Sequence, residues 1–249
     1  MNAWANIKTI AKRELAGYFA SPVAYVVIVI FLLLSGVFTF MLGGFFERRE
    51  ATLASFFWWH PWIYLFLVPA VGMRLWSEER RMGTMELLLT MPVTGWQAIV
   101  GKFLASWLFL GLALVLTFPV IISVNYLGRP DNGAIFCGYF GSFFLAGAYL
   151  AVSCVTSAMT RNQVISFITS VVIIFLGLIM AGWGPITNWL GRVAPTWLLE
   201  MISSFSVLPH FDGFQKGVLD SRDLIFFVSI MGFALFTTGV VIRNLRSGH

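Results

Sequence analysis

The sequence predicts an all-helical, polytopic membrane protein of one domain. It reads as six transmembrane helices preceded by an amphipathic helix lying in the membrane interface. Three observations lead there. Hydrophobic residues make up 59% of the 249 and charged residues 11%, where soluble domains hold roughly 45–50% and ~25%; the mean hydropathy is +0.86. Charge-free windows recur at Leu15–Phe46, Ala51–Met73, Phe103–Gly128, Asn132–Thr160, Asn162–Gly191 and Leu224–Ile242, each long enough for a span of about 20 residues. The basic residues also sort to one side of the spans so drawn. This composition excludes a soluble enzyme, a nucleic-acid binder and a disordered chain. The net charge of +5 and pI of about 9.5 reflect Lys and Arg flanking the spans on one side.

The elements follow in order. Residues 2–20 form the interfacial helix: Trp4, Ile7, Ala11, Leu15 and Tyr18 share one face, with Asn6, Lys8, Thr9, Lys12 and Arg13 turned away. Glu14 falls on the apolar side. It either snorkels to water or pairs with a cation such as Arg74 or Lys102 on a neighbouring element, since a charge there needs a partner. The first span is 23–46. Its apolar run exceeds the ~7–15 residues of a signal-peptide core and no A-x-A site follows it, so it is read as a permanent span. The second, 56–75, starts its helix at Pro61 and is kinked by Pro69, with a re-entrant segment as the alternative. Spans three to six are 102–126, 134–160, 163–183 and 223–243. Thr160-Arg161-Asn162 alone separates the fourth from the fifth, and Gly141, Gly147, Ala148 and Ala151 suit the fourth to close packing.

Two connecting segments stand out. The loop Arg74–Lys102 is the most charged part of the chain, with a helix expected over 77–92. Glu79, Gly83, Glu86 and Thr90 would form one polar stripe opposite Met82, Met85, Leu88 and Leu89, with Met91-Pro92 ending the helix and Thr94-Gly95 turning the chain. Such a helix is either a solvated connector or a docking element. The segment 184–222 is too apolar for a solvated loop, with Trp189, Trp197, Leu198, Leu199 and Phe205 among few charges. It reads as short re-entrant helices punctuated by Pro195, Pro209 and Gly213, shielded by protein or lining a cavity.

The positive-inside rule orients the six spans. With both termini inside, that side carries Lys8, Lys12, Arg13, Arg74, Arg80, Arg81, Lys102, Arg161, Arg243 and Arg246, ten of the sixteen basic residues. Without the second span the asymmetry disappears.

Several chemistries find no support. Gly95-Trp96-Gln97-Ala98-Ile99-Val100-Gly101-Lys102-Phe103 resembles a Walker A loop but has one residue too many between the glycines and Phe where Ser or Thr belongs. Cys137 and Cys154 lie ~25 Å apart on a continuous helix, beyond disulfide reach. A serine hydrolase would need His or Lys at membrane depth; His60 reads as an outer-interface residue, His210 as an outer-loop one, and His249 is terminal. No Asp, Glu, His or Arg is expected inside a span to couple ions. The chain itself is thus read as neither catalytic nor cofactor- or metal-binding. Energy for any transport must come from another subunit.

A resemblance then emerges from three stretches: Lys12-Arg13-Glu14-Leu15 leading through Tyr18-Phe19-Ala20-Ser21-Pro22-Val23-Ala24-Tyr25; Arg74-Leu75-Trp76-Ser77-Glu78-Glu79-Arg80-Arg81-Met82-Gly83-Thr84-Met85-Glu86-Leu87-Leu88 before Met91-Pro92-Val93; and Leu208-Pro209-His210-Phe211 before Phe214-Gln215-Lys216-Gly217. Together they resemble ABC-2 type transporter permeases, nearest the gliding-motility GldF type, with the NosY type close by. The resemblance implies a type V exporter-like fold in the inner membrane of a bacterium, with both termini cytoplasmic. It implies two ATP-binding partner subunits, which would bind the ATP and Mg, and a second permease copy or sister permease. A periplasmic accessory subunit is a further implied partner. It makes Glu78, Glu79, Arg80, Arg81, Gly83, Thr84 and Glu86 the coupling helix that docks on the ATPase. Lys12, Arg13 and Glu14 would belong to the interfacial helix, and Pro209, Phe211 and Gly217 to the re-entrant outer segment. An exporter permease is the leading reading, a non-transporting membrane anchor or mechanotransmission subunit of an ABC ATPase the alternative, and a lipid-acting membrane enzyme the third.

Overall fold

The structure, a computed structural model, describes residues 3–45, 52–84, 94–180 and 203–247, together with Trp183, Gly184, Thr187, Asn188 and Trp197. Among the described residues it is helical throughout, without a strand. Helix α1 is Ala3–Ala20, and α2 is Pro22–Val37, which continues as a π-helical turn over Phe38–Leu42. Ser21 caps α2 and Pro22 starts it, as a fixed φ and a missing N–H allow. The short α3 (Ala54–Trp58) leads into α4 (His60–Gly72) and α5 (Arg74–Met82). Next come α6 (Gly95–Val115), α7 (Phe118–Leu127), α8 (Asn132–Met159) and α9 (Gln163–Ile173), the last running on as a π-helical stretch to Ile179. Helices α10 (Val207–Gln215) and α11 (Ser221–Ser247) close the fold.

Among the described residues four stretches are long and apolar enough to cross a bilayer: Pro22–Leu42, Gly95–Leu127, Asn132–Met159 and Ser221–Leu245. Gln163–Ile179 is a shorter apolar helix, and α4 has 13 residues. Pro69 lies inside α4, which ends at Gly72 with Met73 as its cap, the Met73 N–H still bonding the Pro69 carbonyl at 2.8 Å. The N–H groups of the first turn of α5, which no helix of its own can satisfy, are taken up by α8. The Ser157 hydroxyl accepts from the Trp76 and Ser77 N–H groups at 3.0 and 3.1 Å and donates to the Met73 carbonyl at 2.9 Å. Helices α4 and α5 thus form one bent rod anchored on α8.

Helix α8 is the central post, touching α4, α5, α6, α9, α10 and α11. Small residues let the neighbours in. A Cβ at Gly141 would sit 2.6 Å from Phe214, at Gly138 2.4 Å from Phe57, and at Gly147 2.7 Å from Met231; Gly72 of α4 meets Ser153 at 2.4 Å in the same sense. Large side chains therefore fill notches on α8, and dispersion rather than apolar transfer holds helices together in a lipid solvent. The 28 residues of α8 extend ~42 Å, so groups near Cys154 and Ser157 mark one end of the protein and those near Ala134 and Cys137 the other.

Candidate functional site

Among the described residues the densest ionic feature lies at the Ser157 end, where α1, α5 and α6 meet. Helix α6 starts at Thr94, whose N–H is accepted by the Gln97 side chain at 3.3 Å. The helix thus begins seven residues before the span expected at 102, and this places Lys102 two turns inside it. Helix α1 packs along this part of α6. The contact needs Gly101, where a Cβ would come within 2.8 Å of the Ile10 side chain. Asn6 donates to Gln97 at 3.1 Å and Tyr18 bonds Ser106 at 2.8 Å, so the protein-facing stripe of α1 runs through Asn6, Ile10, Glu14 and Tyr18. Trp4, expected on that stripe, is exposed instead. Glu14 is no break in a pattern but part of the contact.

The Lys102 side chain is only 5% exposed; its Nζ lies 2.8 Å from Glu79 Oε1 and 3.2 Å from Glu14 Oε1. Of the two cations considered for Glu14, Lys102 is the one that binds it. The same ammonium stands 5.6 Å from the ring centre of the buried Trp76, within cation–π range. Arg13, largely exposed, reaches Glu14 at 3.1 Å, while Lys12 points to the surface. Three helices far apart in sequence are thereby joined through one ammonium. A buried charge is tolerated only when paired and hydrogen-bonded.

The surroundings hold this geometry. Ser106 donates to the Lys102 carbonyl at 3.0 Å, so Tyr18 must supply the proton in the Tyr18–Ser106 bond. Burial, the largest influence, pushes the Tyr18 phenol from 10.0 up to about 12, which keeps that proton in place. Trp76 is fixed by its indole N–H on Cys154 Sγ at 3.2 Å, and Arg80 donates to the Ala158 carbonyl at 2.6 Å. Burial first, and Arg161 second, push the Arg80 guanidinium below its usual range, a direction that leaves an arginine charged. Beside the cluster lies a cavity of about 370 Å³ between α1, α2, α4, α5 and α6.

The remaining expected site residues divide as follows. The helix expected to run unbroken over 77–92 stops at Met82. Gly83 takes a left-handed φ of 70° as its cap, and the Gly83 and Thr84 N–H groups both return to the Glu79 carbonyl, the way a glycine ends a helix. Gly83 therefore breaks the stripe of Glu79, Gly83, Glu86 and Thr90 expected on one continuous helix; Glu86 and Thr90 lie outside the described residues. Glu79 faces Lys102 inside the protein, whereas Arg81 and Met82 are exposed. At the far end of α8, Pro209 sits in the first turn of α10 and Phe211 is fully buried. Gly217 has φ 78° with space for a Cβ only 3.1 Å from Ala134. There the His210 Nδ1 lies in hydrogen-bond contact with Asp223 Oδ1 at 2.7 Å, its ring stacked on Phe226, an arrangement that sequence reading did not single out. His60, expected at an interface, is fully buried in the first turn of α4, packed among Phe31, Phe56, Phe57 and Tyr64, with Nδ1 on the Phe56 carbonyl at 2.9 Å.

Among the described residues this ion-paired contact is a joint between three helices, α1, α5 and α6. Two comparisons with known proteins identify the family. Residues 9–212 match the family model described as ABC-2 family transporter protein. The chain is also 32% identical over 161 residues to the probable ABC transporter permease protein NosY of Pseudomonas aeruginosa PAO1, a match covering 61% of this chain and 56% of that protein. The match thus spans little more than half the length of the relative. The family match takes in α1 from residue 9, the joint at Glu14, Glu79 and Lys102, and the first part of α10 at the opposite end, so the chain belongs to the ABC-2 family of transporter proteins.

Proposed function

We propose that this chain is the permease subunit of an ABC-2 exporter, in which ATP hydrolysed on two separate partner subunits moves a substrate across or out of the membrane. The chain crosses the inner membrane six times with both termini in the cytoplasm, residues 56–75 forming the second crossing and 163–183 the fifth. It pairs with a second permease copy or a sister permease, and a periplasmic accessory subunit caps the outer end. The nucleotide and its Mg belong to the partner subunits; no step of the chemistry uses a side chain of this one. The likeness to the GldF type rests on the sequence stretches alone.

The observation that carries this reading is the joint itself. Arg81, Met82, Gly83 and the segment that follows are where an ATPase docks. A pull there on α5 is transmitted by Glu79–Lys102 to the third span and by Lys102–Glu14 to the interfacial helix. Glu79 thus serves transmission rather than docking. The test is co-purification of the tagged chain in mild detergent, followed by ATP hydrolysis in lipid nanodiscs. A stoichiometric subunit with a Walker A motif is expected. Glu79→Gln should keep that subunit bound yet lower permease-stimulated hydrolysis about tenfold, as ~1.4 kcal/mol of lost coupling gives. Recovery of the chain alone in several detergents, or full stimulation in Glu79→Gln, overturns the proposal.

A further inference from the structure

We infer that the cavity beside the joint is a binding site for one phospholipid with a primary-ammonium zwitterionic headgroup, of the phosphatidylethanolamine class. The inference rests on the chain being a membrane protein and is independent of the ATPase partner. At about 370 Å³ the cavity falls in the ~300–1,000 Å³ range of ligand sites. Its wall is divided. Val23, Ala24, Val27 and Val71 form an apolar side, and Val23 is also exposed at the surface, so an acyl chain has a route to the bilayer. Arg74, Glu78 and Glu79, with Glu14 and Lys102 of the joint, form the polar side.

Those polar groups are incompletely used. Among the described residues neither Arg74 nor Glu78 makes a salt bridge. Arg74 Nε and Glu79 Oε2 are buried atoms without a hydrogen-bond partner, a condition that native structures rarely leave unexplained. Lys102 neutralises Glu79 Oε1 and Glu14, but nothing described answers Arg74 or Glu78. One spare cation and one spare anion lie one helical turn apart on α5. A guanidinium is suited to a phosphate, and an ammonium has three donors for the carboxylates of Glu78 and Glu79. Phosphatidylcholine offers the phosphate but no N–H, and phosphatidylglycerol offers the phosphate without the cation.

The experiment is native mass spectrometry of the purified chain exchanged into micelles doped with each of the three phospholipids, all with the same acyl chains. One phosphatidylethanolamine per chain is expected, retained about tenfold over phosphatidylcholine, the factor one charge-assisted hydrogen bond supplies. Glu78→Gln should bring that ratio to within about twofold, with Glu78→Asp keeping it. Arg74→Gln should lower all three lipids together, and Arg74→Lys should keep their order. Circular dichroism and monodispersity exclude misfolding as the cause. Equal retention of the three lipids, or a preference untouched by Glu78→Gln, overturns the site. Displacement of the lipid by soluble phosphoethanolamine at equal concentration overturns the lipid in favour of the free headgroup.

Discussion

Replacing Lys102 by methionine keeps an unbranched side chain, one atom shorter, and removes the one charge that holds Glu14 and Glu79 together. The two carboxylates are 24% and 18% exposed and each lies within 3.2 Å of the ammonium. After the change they face each other with no cation between them, and only Arg13 remains on Glu14. Leaving one side of a buried ion pair uncompensated costs about 3–5 kcal/mol. Partial exposure and Arg13 place this case near 3. For a chain of this length that is a fall of ~6–12 °C in midpoint at ~2–4 °C per kcal/mol. The assay is thermal unfolding in detergent followed by the fluorescence of the ten tryptophans, Trp76 under the Lys102 ammonium among them. The triple variant Lys102→Met, Glu14→Gln, Glu79→Gln removes every charge of the joint and should regain most of the loss, because a neutral replacement carries no stranded charge. A single variant as stable as wild type, or a triple variant no better than the single, refutes the reasoning.

Other outcomes follow from neighbouring geometry. Ser157→Ala strands the Trp76 and Ser77 N–H groups, while the Met73 carbonyl keeps the Ser77 hydroxyl; the expected loss is about 2–6 kcal/mol at ~1–3 kcal/mol per buried unsatisfied group, read as faster proteolysis between α4 and α5. Gly83→Ala meets no neighbour but must hold φ at 70°, so it should cost about 1 kcal/mol and alter the start of the loop, seen as changed hydrogen exchange at Thr84. The Tyr18 phenol, pushed from 10.0 up to about 12 by burial, keeps its proton in the folded protein where the unfolded chain has lost it. Its contribution is therefore whole below pH 10 and declines as pH rises through 12. The stability difference between wild type and Tyr18→Phe should be constant to pH 10 and shift against wild type above it; a difference flat to pH 12 excludes this.

The sequence by itself determined the solvent and the class. Long runs without charge cannot be hidden in a soluble fold of this size, and lipid leaves helices as the way to satisfy the backbone within each run, so the helices follow from composition. The prolines at 61 and 69 and the small residues of α8 act within a turn or two of themselves, and they were legible for that reason. Glu14 was legible as a charge that needed a partner, but its partner was not. Choosing Lys102 over Arg74 depended on how α1 rolls on α6 once Gly101 admits Ile10, and the contacts that set this roll span 91 and 88 residues. Tertiary structure alone decided that Glu79 faces inward, since its stripe ends where Gly83 turns left-handed and α5 is pinned to Ser157. The same holds for His60, whose burial comes from rings on α2, α3 and its own helix. Periodicity assigns a side chain to a face of its helix. Which neighbour that face meets is set by helix rotation and close approach, and these come from packing between distant segments.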